Sequence, residues 1–126
     1  MQDKKIESYR DLVAWELAMA LVVDIYRVTQ KMPVSEQYGL TSQIRRAAVS
    51  IPSNIAEGQG RGHLNEYTHH LWIANGSLKE VETQLTLAVR LEFIDRATAV
   101  PIWEQCQSVG ILLRKLINAL SKSKCT

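Results

Sequence analysis

The fold is indicated most clearly by residues 67–88, whose sequence is YTHHLWIANGSLKEVETQLTLA. Apolar side chains recur there at alternating steps of four and three residues, which places them on one face of an α-helix. The residues of this seam are Tyr67, Leu71, Ala74, Leu78, Val81, Leu85 and Ala88. A seam of this length predicts a long helix, N-capped at Asn65, that packs against other helices.

Further helices are predicted on both sides of this segment, and no stretch shows the alternation of a β-strand. Towards the C-terminus, a helix that follows Asp95 or Thr98 repeats the same spacing. Its seam is Ile102, Cys106, Val109, Leu113, Leu116 and Leu120. Towards the N-terminus, a helix that begins between Ser35 and Thr41 and stops at Gly58 has one apolar face. That face consists of Leu40, Ile44, Ala47, Ile51 and Ile55.

The first helix, predicted from Tyr9 to Lys31 with Ser8 as its N-cap, carries two apolar stripes. The first stripe is Leu12, Trp15, Met19, Val22 and Tyr26, and the second is Val13, Leu17, Leu21, Ile25 and Val28. A helix in a monomeric bundle needs only one stripe, about 100° wide. Two stripes therefore predict either a central helix or self-association. The predicted anchors of the core or of an oligomer contact are Trp15, Met19, Val22 and Tyr26.

Long helices joined by short loops become antiparallel neighbours. The sequence therefore predicts an all-α chain that folds as an antiparallel up-and-down four-helix bundle. Residues 1–126 are predicted to form a single domain, with an ordered core over about residues 8–121 and short polar tails at both ends.

A polar stripe runs beside the apolar face of the second helix. It consists of Gln43, Arg46, Ser50, Asn54 and Glu57 at steps of three and four residues, and the next step reaches Arg61, with Arg45 further round. Three interpretations remain open: a solvated face supported by pairs one turn apart, a polar network between subunits, or a surface that contacts phosphate. Arginine suits both of the last two because its guanidinium is a planar fork of donors.

Residue types that carry chemistry do not assemble into a catalytic or metal-binding motif in this sequence. A di-iron bundle needs Glu-x-x-His on two helices, and Glu66 to His69 is the single match among His63, His69 and His70. No serine or cysteine has the context of a nucleophile. The glycine-rich loop 58–62 lacks the lysine and the preceding strand of a phosphate-binding loop. We therefore expect no enzyme activity, metal, cofactor or small-molecule substrate.

Composition favours the cytoplasm and gives little indication of a partner. Fifteen basic and thirteen acidic residues leave a net charge of +2, which is too mild to predict nucleic-acid binding by itself. The two cysteines make no disulfide framework. The N-terminal residues lack the apolar core of a signal peptide. Residues 12–28 are interrupted by Glu16, Asp24 and Arg27, so no membrane span is predicted.

Three segments resemble a known family. The first is residues 9–15, YRDLVAW, and the second is residues 38–58, YGLTSQIRRAAVSIPSNIAEG. The third is residues 76–78, GSL, followed by Glu80 and by residues 82–85, ETQL. They are similar to the four-helix bundle proteins encoded in 23S rRNA intervening sequences, also labelled S23 ribosomal protein. The resemblance covers about residues 8–121. It implies a bacterial protein with no established catalytic activity that assembles into a ring, as a homopentamer.

A more distant resemblance, to a pentameric accessory protein of diversity-generating retroelements, implies nucleic acid as a ligand. Under this hypothesis RNA or DNA phosphates contact Arg45, Arg46 and Arg61. The alternative is a protein-interaction scaffold with no nucleic-acid role, in which the polar stripe is structural and Arg46 pairs with Ser50 or with Glu57 of a neighbouring subunit. The sequence leaves both hypotheses open.

Overall fold

The structure is a computed structural model that describes the backbone of residues 2–125 and the side chains of residues 11–122. Four α-helices make up most of the chain: α1 is Gln2–Thr29, α2 is Leu40–Gly60, α3 is Leu64–Arg90 and α4 is Arg96–Cys125. A short 3-10 helix, Val34–Glu36, lies between α1 and α2. The described backbone contains no β-strand, which confirms the all-α prediction.

Each helix packs against two others, in the cyclic order α1, α2, α3, α4 and back to α1. Because short connections join consecutive helices, neighbours run antiparallel, and the predicted up-and-down four-helix bundle is confirmed. The connection from α2 to α3 turns at Gly62, whose φ of +77° lies in the left-handed region that glycine adopts without steric cost.

The core lies where the sequence places it. All of the predicted seam residues of α2, α3 and α4 are buried. Cys106 is among them, at 1% exposure. Burial, and to a lesser degree the nearby charge of Glu82, raise the pKa of the Cys106 thiol to about 12, against a smaller opposing effect of Lys79. The thiol is therefore neutral and inert at physiological pH.

Several predicted helix ends are wrong. The first helix begins at Gln2 rather than after an N-cap at Ser8, because residues 2–8 contain no glycine or proline that would stop it. Gly58 does not end α2, which continues to Gly60. The N-cap of α3 is His63 rather than Asn65. The prediction that a helix follows Asp95 is confirmed, because the Asp95 carbonyl accepts the first helical hydrogen bond, from the backbone of Ala99 at 3.0 Å.

Candidate functional site

The two apolar stripes of α1 have different surroundings. Of the predicted second stripe, Leu21, Ile25 and Val28 enter the core, together with Ala14 and Ala18. The prediction is wrong for Leu17, which is exposed, and for Val13, which is only half-buried. The first stripe of the sequence analysis lies on the outside of the bundle instead. Leu12, Met19 and Tyr26 are 54%, 39% and 41% exposed, whereas Trp15 and Val22 are half-buried against the core.

We call this second surface the outer face of α1; it comprises Leu12, Trp15, Met19, Val22, Val23 and Tyr26. From its first to its last residue it extends about 21 Å along the helix, at ~1.5 Å per residue. Contiguous exposed apolar surface on a folded chain is typical of an interaction site. The predicted oligomer anchors Met19 and Tyr26 thus lie on the surface of the bundle, 39% and 41% exposed.

The polar stripe of α2 divides into two halves, one of which faces α3. There the Asn54 Nδ2 donates to the Ser50 carbonyl at 2.9 Å and to the Ser50 hydroxyl at 3.0 Å. The Ser77 hydroxyl of α3 donates to the same Ser50 oxygen at 2.8 Å. The Asn54 Oδ1 lies 2.9 Å from the Nδ1 of His70. We call Ser50, Asn54, His70 and Ser77 the α2–α3 network.

This hydrogen-bond pattern assigns the tautomer of His70. The Ser50 carbonyl can only accept, so the amide nitrogen of Asn54 must face it. The amide oxygen then faces His70, and because that oxygen also only accepts, the His70 Nδ1 carries the proton. The amide of Asn54 is therefore paired on both its nitrogen and its oxygen within one chain.

Close packing of α2 on α3 accompanies the network and explains the position of Gly58. A Cβ at Gly58 would lie 2.7 Å from the Cβ of His70 and 2.9 Å from the Cδ1 of Tyr67. Both distances are below normal van der Waals separation, so only a glycine lets the helices meet here.

The other half of the polar stripe is exposed to solvent. Gln43 and Arg46 are exposed, and the described residues provide no ion pair for Arg46. Glu57 pairs with Arg61 at 3.1 Å on the surface of the same helix end, where such a pair stabilises by about 0–1 kcal/mol. The predicted stripe is therefore not one network: Ser50 and Asn54 are used inside the chain, whereas Arg46 is available to a ligand.

Arg45 has partners that the sequence analysis did not predict. Its Nε donates to the Thr29 hydroxyl at 2.8 Å, and one Nη donates to the Tyr26 carbonyl at 3.3 Å. The guanidinium carbon also lies 4.6 Å from the centroid of the Tyr26 ring. Arg45 therefore interacts with the C-terminal turn of α1, where a cation is favourable. The three arginines predicted to contact phosphate thus have three different environments.

Sequence reasoning missed His70, Ser77 and Thr29 as partners of the stripe. The available signal was their position on neighbouring antiparallel helices, whose residues cannot be paired one by one before the register between the helices is known. No three His, Cys, Asp or Glu side chains among residues 11–122 are grouped to hold a metal ion. Over the same described segment, no helix is long and apolar enough to cross a membrane.

Comparison with known proteins places these features in a family. A family model described as 23S rRNA-intervening sequence protein matches residues 10–115. A crystal structure of a protein of unknown function from the S23 ribosomal protein family of Bacteroides thetaiotaomicron superposes with a TM-score of 0.79 and 24% sequence identity, covering 86% of this chain and 98% of that one. At that identity the likeness shows the fold alone. Among curated proteins, no match was found.

Proposed function

The chain belongs to the 23S rRNA-intervening sequence protein family, and we propose that it acts as a non-enzymatic, self-associating helical scaffold that binds nucleic acid. One observation supports self-association above all: the outer face of α1 leaves large apolar side chains in contact with water. Removing apolar area from water stabilises an interface by about 25 cal/mol per Å² before the cost of association is subtracted.

A ring requires a second, different surface, because a cyclic assembly larger than a dimer joins two unlike faces of each subunit. A suitable surface lies on α3, where Trp72 is 54% exposed beside the exposed Ile73. The helix α3 does not pack against α1, so the two surfaces lie on opposite sides of the bundle. We propose that the outer face of α1 binds the Trp72 surface of the next subunit, in a homopentamer.

Light scattering coupled to size-exclusion chromatography tests the assembly. We expect a mass near five times 14.3 kDa for the unchanged protein. Met19→Glu and Trp72→Glu should each give smaller species, because each places a charge in one half of the contact. Gln107→Glu, at an exposed position of α4, is the matched control and should leave the mass unchanged.

Mixing the two variants separates a ring from a two-fold dimer. Met19→Glu retains the Trp72 surface, and Trp72→Glu retains the outer face of α1, so a mixture should form a heterodimer through the one remaining contact. If Trp72→Glu leaves the mass unchanged while Met19→Glu lowers it, the contact is symmetric and the ring is wrong. A 14.3 kDa species from the unchanged protein would refute self-association.

The nucleic-acid part of the proposal is supported by Arg46, an exposed guanidinium with no carboxylate partner within the described residues. In a ring the same cation is repeated on every subunit, so weak phosphate contacts add through multivalency. Arg61 contributes less, since its charge is shared with Glu57.

Salt-dependent binding of nucleic acid to the assembled protein tests this part. Arg46→Glu should weaken binding to all sequences alike and flatten the dependence of affinity on salt. If the unchanged assembly binds neither RNA nor DNA at ~50 mM salt, the protein-only scaffold is the correct alternative.

A further inference from the structure

An open groove of about 480 Å³ lies between the C-terminal end of α1 and the N-terminal end of α2. Arg45 and Arg46 line it, together with Tyr26, Tyr38 and Thr41, and no acidic side chain of the described residues does so. Glu36, the acidic residue of the connection between α1 and α2, accepts a hydrogen bond from the backbone of Leu40 at 3.0 Å instead. The groove is therefore a locally cationic surface on a chain that is nearly neutral as a whole.

One of the two cations is held in place before any ligand arrives. The Nε of Arg45 is bound to the Thr29 hydroxyl, and its guanidinium lies over the ring of Tyr26. A guanidinium with a fixed orientation loses less conformational entropy when it binds an anion. Arg46, one residue further along α2, is exposed and supplies a second, adaptable fork of donors.

Two further features of the groove point to a ligand that is more than an anion. Tyr38 is 91% exposed at its edge, with almost none of its ring packed against the protein. Thr41 is only 7% exposed, and its hydroxyl has no hydrogen-bond partner within the described residues. An exposed aromatic ring beside two arginines is the combination that binds a base and its phosphates together.

We propose that this groove binds single-stranded nucleic acid, with a base stacked on Tyr38 and the adjoining phosphates on Arg45 and Arg46. The inference rests on the nucleic-acid part of the proposed function and specifies the strand type. Bases of a duplex are stacked inside the helix, so their faces are closed to a protein ring, whereas an unpaired base offers its whole π-face. Stacking of this kind is tolerant of sequence.

Fluorescence anisotropy with labelled oligothymidylate, and with a duplex carrying the same label, tests the strand preference. We expect the single strand to bind more tightly. Tyr38→Ala should lower its affinity about ten-fold without changing the salt dependence, and Tyr38→Phe should restore the affinity because the ring is retained. Arg46→Gln should instead reduce the slope of log affinity against log salt, by ~0.7 for each phosphate of the single strand that the variant no longer neutralises.

The outcomes distinguish the single-strand groove from nucleic-acid binding in general. Equal binding of duplex and single strand, with no effect of Tyr38→Ala, would refute the single-strand groove while leaving nucleic-acid binding intact. Absence of binding to either would refute both. Full competition by inorganic phosphate or a mononucleotide at equal concentration would assign the groove to a small phosphate ligand, and the inference would be wrong.

A mass measurement on the same variants tests whether the Tyr38 side chain instead contacts a neighbouring subunit. Tyr38 is almost entirely exposed in the chain, so Tyr38→Ala should fold and retain the mass of the unchanged protein. A fall in mass would show that Tyr38 is an assembly contact, and it would overturn the stacking role.

Discussion

The two halves of the polar stripe of α2 differ in how their polar groups are satisfied. On the side that faces α3, Ser50 and Asn54 are bonded to His70 and Ser77 across the helix boundary. On the outward side, Arg46 is exposed and has no partner within the described part of the chain. Both halves have the same helical spacing.

The difference shows that spacing alone does not separate a structural polar group from one available to a ligand. A buried polar group needs a partner because its desolvation costs about 1–3 kcal/mol when it is left unpaired. An exposed guanidinium has no such requirement, since water satisfies it. We therefore expect substitutions on the α3 side to change stability, and substitutions on the outward side to change binding.

The largest effect on stability is expected from Gly58→Ala. The added Cβ would lie 2.7 Å from His70 and 2.9 Å from Tyr67, and neither neighbouring atom is the flexible end of a side chain. Chemical denaturation should show a loss of about 1–3 kcal/mol in the free energy of unfolding.

Gly60→Ala is the matched control, because no atom lies within 4 Å of the position of its Cβ. That variant should be unchanged or more stable, by at most about 1 kcal/mol, since alanine favours helix over glycine. Equal stability of the two variants would mean that α2 and α3 do not meet as closely as the structure indicates.

A somewhat smaller effect is expected from Asn54→Ala, which removes the central amide of the α2–α3 network. The variant leaves His70 and Ser50 without this partner, and we expect a loss of about 1–2 kcal/mol in the free energy of unfolding. Ser53→Ala, at an exposed neighbouring position, should be nearly neutral.

Nuclear magnetic resonance of the His70 ring nitrogens provides a second measurement. In the unchanged protein, the proton of the neutral ring should be on Nδ1, because the Asn54 Oδ1 accepts it. In Asn54→Ala this preference should disappear. A proton on Nε2 in the unchanged protein would contradict the network.

The sequence predicted the part of the fold that depends on local periodicity. The seams of α2, α3 and α4 are buried as expected, because the apolar face of an amphipathic helix packs into the core of a bundle. The ends were predicted less well. Local sequence makes Gly58 a helix stop, whereas in the structure its missing side chain serves the approach of His70, a residue that is distant in sequence.

The sequence predicted which residues belong to the candidate site but not which side chains they contact. Arg61 pairs with Glu57 one turn away, whereas the environment of Arg45 depends on a contact that the sequence does not encode locally, with Thr29, which is 16 residues away. For α1, two apolar stripes indicated a second covered side, yet periodicity could not decide which stripe enters the core. Ala14 and Ala18 decide it, since small residues let the neighbouring helices approach.

The pH dependence of stability at Cys106 tests whether the core is closed to solvent. Its folded pKa, about 12, is above the ordinary thiol value of 9.0, so above pH 9 the unfolded chain releases the proton first and stability falls as pH rises. Between about pH 8 and pH 9.5 the loss should be about 1 kcal/mol. Cys106→Ala should lack this component. A Cys106 thiol that reacts at about pH 8 in folded Cys125→Ser protein would contradict a closed core.

The smallest effects on the free energy of unfolding are expected at two adjacent arginines, Arg45 and Arg46. Comparing them tests directly whether an exposed polar group of α2 is structural. Arg45→Ala removes the bond to Thr29 and the contact with the Tyr26 ring, so it should lower the free energy of unfolding by about 0.5–1 kcal/mol. Arg46→Ala removes an exposed side chain and should stay within about 0.5 kcal/mol of the unchanged protein. A larger loss for Arg46→Ala than for Arg45→Ala would mean that the partner of Arg46 is another subunit, and that the outward side of α2 is structural as well.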